Sequence, residues 1–392
     1  MSRNLPLITL TGNPRERGRQ HGSAAKARVA HNVRAYFRRF TGWGEIPREE
    51  VRRRAEAYRE VIEAINPDYA AAMAGIAEGS GQDLLDIVAV NVRYELMYSE
   101  FAERGKARKL AGPLAAGGCT SFALLPPFAS NGHFVIGQNW DWIPEVQGLV
   151  VRTHTEDGLE GLAFTEAGIP GAKIGLNSAG LGLAINGLVS NLDSWARLGK
   201  PFHVRCWEIL AARTLQEAER AASEGRRACS ANFLIAQTGD RPQLVDIEAA
   251  PDNVCRFLPA GGFLAHTNHF ADPDALGIWQ PLAEESPSTL YRLARMQAML
   301  TAFADRGQTV GIDDLKAMLR DHGGAPNSVC RHADAALPAD DRYETVASVI
   351  LDLDAGEMYI ASGPPCVSRY RHFSLNPSQR RDPSPASDAF AP

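Results

Sequence analysis

The hydrophobic period of this chain changes at Cys119, and that change constrains its fold more than any other feature. From about Glu16 to Met97, apolar residues recur at three- and four-residue intervals, as in VRRRAEAYREVIEAI and LLDIVAVNVRYELM, the spacing of helices that bury one stripe. Pro47 and Pro67 stand where a first helical turn tolerates a missing N–H, and Gly79 and Gly81 in EGSGQD read as a helix stop followed by a new start. From Cys119 onward, CTSFALL, HFVIGQN, LVVRTH, GLAFTE, KIGLN and GLGLAIN follow one another across short Gly, Pro or Asn turns, the pattern of antiparallel hairpins. Helical patterns from Val204 to Ala222 and Ser288 to Phe303 flank the strands ANFLIAQ, QLVDIE, NVCRFL and GFLAH, and VASVILDL and MYIAS close the pattern. Strands in runs flanked by helices predict an α+β fold with two layers of sheet covered by helices, rather than alternating βαβ units. Residues 103–118 read as an exposed loop or linker, and the tail from Asn376 as disordered.

Composition narrows the function classes. A chain of 392 residues, 45% hydrophobic, has a core of one large or two moderate domains. With 41 basic against 46 acidic side chains there is no positive excess to neutralise phosphates, so nucleic acid is not an expected partner. The cluster Arg34, Arg38, Arg39, Arg48, Arg52, Arg53 and Arg54 interleaves with Glu49, Glu50, Glu56 and Glu60 and reads as a solvated helix face. The N-terminal apolar run is broken by Pro6 and Thr9, and no stretch reaches the ~18 to 20 apolar residues of a membrane span, so a cytoplasmic location without a membrane partner is expected. Cys119, Cys206, Cys229, Cys255, Cys330 and Cys366 form no C-x-x-C pair, and most of them are expected to be small buried apolar side chains rather than zinc ligands or disulfides.

The chain has no G-x-S-x-G, H-E-x-x-H, G-x-x-x-x-G-K-[ST] or post-strand G-x-G-x-x-G motif. His266, His269 and Asp272 offer metal-binding side chains within seven positions, but they follow an apolar strand and sit among turn formers, so the rings should diverge; no metal and no cofactor is expected. In Gly117-Gly118-Cys119-Thr120 a flexible glycine pair meets the first strand. Attack of the Cys119 thiol on the Gly118 carbonyl would exchange the peptide for a thioester that water hydrolyses, leaving an N-terminal Cys119. Its α-amine, with a reference pKa of ~7.7 to 8.0, suits a general base for its own thiol. On these four residues alone, a buried strand cysteine after a glycine turn is the plainer alternative.

The surroundings add a resemblance. The sequence resembles the isopenicillin N acyltransferase family, also called acyl-CoA:6-aminopenicillanic acid acyltransferases, which are self-processing N-terminal-nucleophile hydrolases. The likeness covers nearly the whole chain, from GNPRERGRQHG at 12–22 through GIAEGSGQDLLDIVAVNVRYE at 75–95, with its Asn91, Arg93 and Glu95, to GCTSFAL and GQNWDW. It implies a four-layer αββα core, cleavage between Gly118 and Cys119, and Cys119 as nucleophile. It also implies an N-terminal helical segment, 1–118, that becomes the small chain, a catalytic domain at 119–375, and a tail at 376–392.

A wider likeness to conjugated bile acid hydrolases, which lack the N-terminal segment, implies further roles. Asp141 looks like the aspartate that orients the cysteine amine and substrate, and Asn186 and Asn268 like two active-site asparagines, with Asn268 donating to an oxyanion hole. Arg292, preferred over Arg295 three residues on, looks like the arginine near the nucleophile, and Ser288 reads as a helix N-cap. On the strand of Asp141, Asn139 shares its face while Gln138, Trp140 and Trp142 share the other. Asn139, Trp140 and Trp142 are the substrate-binding candidates. Bile acid hydrolases carry an arginine where Gln138 stands, which argues against bile salts.

The expected activity is hydrolysis of an N-acyl amine or peptide-like amide through a thioester acyl-enzyme, with the cleaved N-terminal chain as a partner and a homo-oligomer left open. Alternatives are an acyl-CoA-dependent N-acyltransferase using an acyl thioester, a thiol hydrolase that uses His266 or His269 as base without cutting itself, and a non-catalytic binding protein.

Overall fold

The helix-period part of the chain folds into helices, and the strand-period part builds most of a pair of stacked sheets with which they share a core. The computed structural model describes residues 5–106, 118–239, 242–259, 261–281 and 287–375. The N-terminal part supplies β1 (Leu7–Thr11), α1 (Pro14–Ala24), α2 (Lys26–Thr41), α3 (Arg48–Ile65), α4 (Pro67–Ser80), α5 (Leu84–Asn91) and α6 (Arg93–Lys106). Then follow β2 (Thr120–Leu124), β3 (Val135–Trp142), β4 (Gly148–His154), β5 (Glu160–Glu166), β6 (Ile174–Asn177), β7 (Leu181–Gly187), α7 (Phe202–Ala211) and α8 (Leu215–Ser223). The chain continues with β8 (Ala231–Gln237), β9 (Gln243–Ala249), β10 (Val254–Phe257), β11 (Phe263–His266), α9 (Pro287–Asp305), α10 (Ile312–Leu319), β12 (Glu344–Asp352), β13 (Glu357–Ser362) and β14 (Arg371–Ser374).

An eight-stranded sheet runs β1-β4-β5-β6-β7-β8-β9-β10 and a six-stranded sheet runs β11-β2-β3-β12-β13-β14. They stack through β2 and β3 against β7, with α7 and α8 outside the first and α9 and α10 outside the second. This is the expected α+β sandwich of four layers, αββα. Strands of the six-stranded sheet are buried on both faces: Ala123 and Ile136 join the core between the sheets, while Phe122, Leu124 and Val135 pack with Met296, Leu300 and Leu315 beneath the helices. A sheet covered twice reads as near-continuous apolar runs, which is why CTSFALL carries so few polar residues.

Several details differ from the sequence expectation. The helix expected over 204–222 is two helices, because Thr214 caps α8 in a capping box with Glu217. Helix α6 runs through Lys106 into the expected linker, whose residues 107–117 lie outside the described residues, as does the tail 376–392. Strands β1 and β14 and helix α10 were not expected. Helix α10 packs beside β12, and β1 pairs in parallel with β4, so the N-terminal segment is woven into the larger sheet. Most of the arginine cluster forms surface ion pairs as expected, but Arg39 is buried and donates to the Tyr343 hydroxyl.

Two sets of contacts fix the N-terminal segment. Helices α1 and α4 cross at van der Waals contact of their backbones: a β-carbon on Gly18 would lie 2.1 Å from the Ala72 carbonyl oxygen, and one on Gly75 2.1 Å from that of Arg15. Gly22 and Gly79 repeat the contact one turn on, at 2.4 and 2.2 Å from Ile76 and Arg19 oxygens. The glycines of GNPRERGRQHG and GIAEGSG are therefore spacing residues.

The second set joins the α5–α6 stretch to the segment that follows Cys119. Asn91 donates to the Gly168 carbonyl at 2.9 Å, and Glu95 accepts from the Phe202 N–H at 2.7 Å, where the start of α7 favours negative charge. Arg93 donates through Nε to Glu166 at 3.1 Å, and Tyr36 and Lys173 also bond this fully buried carboxylate. Burial alone would raise the Glu166 pKa, but Arg93 and Lys173 hold it well below the usual carboxylate range.

Gly75→Ala should lower stability by ~1 to 3 kcal/mol, the cost of forcing extra volume into a packed contact, read from the urea midpoint at unchanged m-value. An unchanged midpoint would mean the helices separate freely there.

Candidate active site

Cys119 ends the irregular approach to β2 and is 4% exposed. The pairing of Thr120 with Asn139 places Asp141 next to the Gly118–Cys119 peptide, and the Gly118 N–H reaches the Asp141 carbonyl at 3.4 Å. On the other edge of β2, Ser121 pairs with His266, whose strand leads directly to Asn268. Strand β7 of the opposite sheet brings Asn186 and Gly187, and α9 brings Arg292.

Arg292 ties these pieces together. It is 1% exposed and donates to the Cys119 carbonyl at 2.6 Å, the Thr120 hydroxyl at 3.0 Å, Asn268 Oδ1 at 3.0 Å and the Ser288 hydroxyl at 3.2 Å. Ser288 lies inside the first turn of α9 and orients the arginine, correcting its expected place as the N-cap. Arg295, three residues on, faces Asp321 at 2.6 Å instead. Asn186 Nδ2 lies 3.3 Å from both the Cys119 and His266 carbonyls, while its Oδ1 accepts from Ser121 at 2.6 Å. Asn268 has its amide set at both ends: Oδ1 accepts from Arg292, and Nδ2 donates to the Gly187 carbonyl at 3.0 Å, leaving its second N–H without a described partner.

Asp141 is held by one oxygen. Oδ1 accepts from the Thr345 hydroxyl at 2.7 Å, whereas the buried Oδ2 has no hydrogen-bond partner. A β-carbon at Gly118 would stand 2.8 Å from that Oδ2 and 2.7 Å from Arg331 Nη1, so any larger residue would displace one of these two side chains. Burial pushes the Asp141 carboxyl up to about 7 against the pull of Arg292 and Arg331. Burial, and next the Asp141 charge, push the Cys119 thiol up to about 11; Arg292 and the backbone N–H groups of Asp141 and Gly187 oppose this. The thiol is therefore harder to ionise than a free cysteine, beside a carboxyl raised toward neutrality.

The alternation on β3 is as the strand period predicts, but the substrate-binding candidates are already engaged. Asn139 donates to the Leu319 and Val329 carbonyls, both at 2.9 Å. Trp140, 2% exposed, stacks 3.7 Å from the Lys173 ammonium, and Trp142 donates to the Tyr36 hydroxyl at 2.8 Å. These three side chains form the buried frame of the site.

His266 has both ring nitrogens committed, to Glu248 at 2.8 Å and the Thr267 carbonyl at 2.7 Å. Burial would lower its pKa, but Asp246 and Glu248 outweigh this and raise it, and with both ring nitrogens facing acceptors neither is directed at Cys119. His269 bonds the Thr289 hydroxyl at 2.9 Å instead. The two rings thus serve different partners, and the metal grouping with Asp272 does not form.

Sequence reasoning missed Thr345, Arg331 and Gly187. The first two arrive from β12 and the loop before it, about two hundred residues from Asp141, and the Gly187 N–H facing the thiol is a backbone donor with no side-chain signature. Hydroxyl and carbonyl pairing of Thr345 with Arg331 at 3.0 Å joins them to one another.

Among known proteins, the family model for acyl-coenzyme A:6-aminopenicillanic acid acyl-transferase matches residues 128–366. The 40 kDa form of acyl-coenzyme A:6-aminopenicillanic-acid-acyltransferase of Emericella nidulans is 29% identical over 353 residues, 88% of this chain and 89% of that one. A solved N-acylethanolamine-hydrolyzing acid amidase ortholog of Caenorhabditis elegans is 14% identical, with a TM-score of 0.40 over 60% of this chain and 93% of that one. Penicillin V acylase of Agrobacterium tumefaciens is 12% identical, with a TM-score of 0.39 over 62% of this chain and 83% of that one. The match of the family model, spanning well over half of the sequence, means that the chain belongs to the acyl-coenzyme A:6-aminopenicillanic acid acyl-transferase family.

Proposed function

We propose that this protein cuts itself between Gly118 and Cys119 and then uses the freed N-terminal Cys119 to hydrolyse an N-acyl amine or peptide-like amide through a thioester. The observation that carries this reading is the buried, unpartnered Asp141 Oδ2 beside Gly118, with the Cys119 carbonyl clamped by Arg292 and Asn186. In the first reaction Asp141 Oδ2 takes the thiol proton as sulfur adds to the Gly118 carbonyl. As the C–N bond breaks, that proton passes to the Cys119 nitrogen, and water then hydrolyses the Gly118 thioester. The clamp keeps Cys119 in place while the peptide on its other side is lost. In the second reaction the new α-amine takes the thiol proton and delivers it to the leaving amine, giving an acyl thioester and later the free acid. Asn268 and the Gly187 N–H donate to the oxygen that becomes negative. The small chain, 1–118, stays as partner of the catalytic domain, 119–375.

The name of the Emericella relative favours a second outcome for the same acyl-enzyme, transfer from acyl-CoA to an amine. Water needs no pocket, whereas an amine competes only when bound at high effective molarity. Product partitioning from a pre-formed acyl-enzyme decides: free acid should dominate at micromolar amine, and amide product there would make the protein a transferase.

Two further outcomes are expected. Wild-type protein should separate into 1–118 and 119–392 under denaturing conditions, and Cys119→Ala should stay whole. Because the base form of Asp141 grows as pH rises through about 7, the rate of cutting should climb about tenfold per pH unit below that value and level off above it. Asp141→Asn should abolish the climb, and a rate flat from pH 5 to 8, read by intact mass, would remove Asp141 as the base. In matured enzyme, Asn268→Ala should lower kcat by ~10² to 10³ with little change in KM. A wild-type kcat would place the oxyanion elsewhere.

A further inference from the structure

Twenty-four residues, 320–343, join α10 to β12, and the first part of this stretch is rich in glycine and turn residues. His322, Cys330 and His332 belong to it, and Cys366 comes from the turn between β13 and β14. One ligand atom from each of the four lies within 4.8 Å of the others. His332 Nε2 stands 3.1 Å from His322 Nε2, 3.1 Å from Cys366 Sγ and 3.9 Å from Cys330 Sγ. One ring nitrogen has one lone pair or one proton, so hydrogen bonding satisfies a single neighbour and leaves the others facing it for nothing. Four soft or borderline donors gathered this closely are what a tetrahedral cation requires. With Zn–N of ~2.0 to 2.1 Å and Zn–S of ~2.3 Å, the edges of such a tetrahedron measure ~3.3 to 3.8 Å, which the exposed imidazoles reach by side-chain rotation.

We propose that His322, Cys330, His332 and Cys366 form a closed Cys2His2 site for zinc(II). Two thiolates balance the charge of the ion, and four protein ligands leave no position for a substrate, so the metal is structural. The backbone around it is arranged independently: the Cys330 N–H reaches the Asp321 carbonyl at 2.9 Å, Ser328 donates to the Cys330 carbonyl at 2.7 Å, and Arg320 donates to the Pro365 carbonyl at 3.0 Å, next to Cys366. Arg331 sits between two of the ligands, and its guanidinium borders Gly118. Val329 accepts from Asn139, which shares the face of Asp141. The ion would thus clamp to the β13–β14 turn the loop that closes over the candidate cleavage point, a role that stands whether or not the chain cuts itself.

The test is metal content of the full chain, produced under reducing conditions with zinc(II) supplied and then gel-filtered. About one zinc(II) per chain is expected, falling below about a tenth in Cys330→Ser and His332→Ala, while Cys255→Ser, outside the cluster, keeps it. His332→Cys should still bind, since three thiolates and one imidazole also suit zinc. Cobalt(II) in place of zinc should give the strong visible bands of tetrahedral thiolate coordination. For variants that do not fold, the wild-type chain supplies the measurement: chelation of the folded protein should make Cys330 and Cys366 newly reactive toward a thiol reagent, identified by peptide mapping. No retained zinc in folded wild-type protein, unaltered thiol reactivity on chelation, or recovery of a Cys330–Cys366 disulfide from protein purified without oxygen would overturn the proposal.

Discussion

Glu166 is a carboxylate with no access to water, and the arrangement of the whole molecule follows from how its charge is met. Burying it alone would be costly, and losing one partner of such a buried ion pair typically costs ~3 to 5 kcal/mol. Lys173, from the loop before β6, pairs with it within its own part of the chain, whereas Arg93 and Tyr36 come from the N-terminal helices and reach it only when both parts of the chain are docked. The same Tyr36 hydroxyl accepts from Trp142, the residue after Asp141. Docking of the N-terminal segment is thereby felt one residue from the carboxyl that faces Gly118.

The site itself holds a conflict. Asp141 keeps an oxygen without a donor, its neighbour Cys119 keeps a thiol harder to ionise than usual, and neither change can be relieved by water. Both groups are raised by the same burial, so proton transfer from the thiol to the carboxylate moves one negative charge from Asp141 to the Cys119 sulfur, and Arg292 faces it in either place. Cleavage of the peptide would replace this arrangement with an α-amine beside the carboxylate, a pair in which each charge supports the other.

Much of this was legible from patterns that depend on short spans of chain. The helices, the hairpins from Cys119 onward and the alternation of Asn139 and Asp141 against Trp140 and Trp142 follow from local periodicity. The glycines of the α1–α4 crossing were visible as a motif but not as contacts, since nothing in GNPRERG says which helix it meets. β1 escaped because LITLT is five residues long between Pro6 and Gly12, and its partner β4 lies more than a hundred residues away. The same limit hid Thr345 and Arg331, and it hid the grouping of His322, Cys330, His332 and Cys366, whose spacing matches no local zinc motif. Trp140 and Trp142 drew attention as aromatic residues near the nucleophile, but aromatic rings beside a charged cluster are equally what a core built around Lys173 and Tyr36 needs.

Strand β1 fills the edge of the larger sheet that β4 would otherwise expose, with five residues in register from Leu7 against Val150 to Thr11 against His154. If the peptide before Cys119 is severed, that edge is covered by a separate molecule. Unfolding then changes its molecularity: an uncut chain refolds as a first-order process, whereas a cut one must find its partner again, so its recovery depends on concentration. At the dilution of a cell, losing the fold after maturation would be close to irreversible, and the lifetime of the mature protein would be set by the barrier to unfolding rather than by the equilibrium between states.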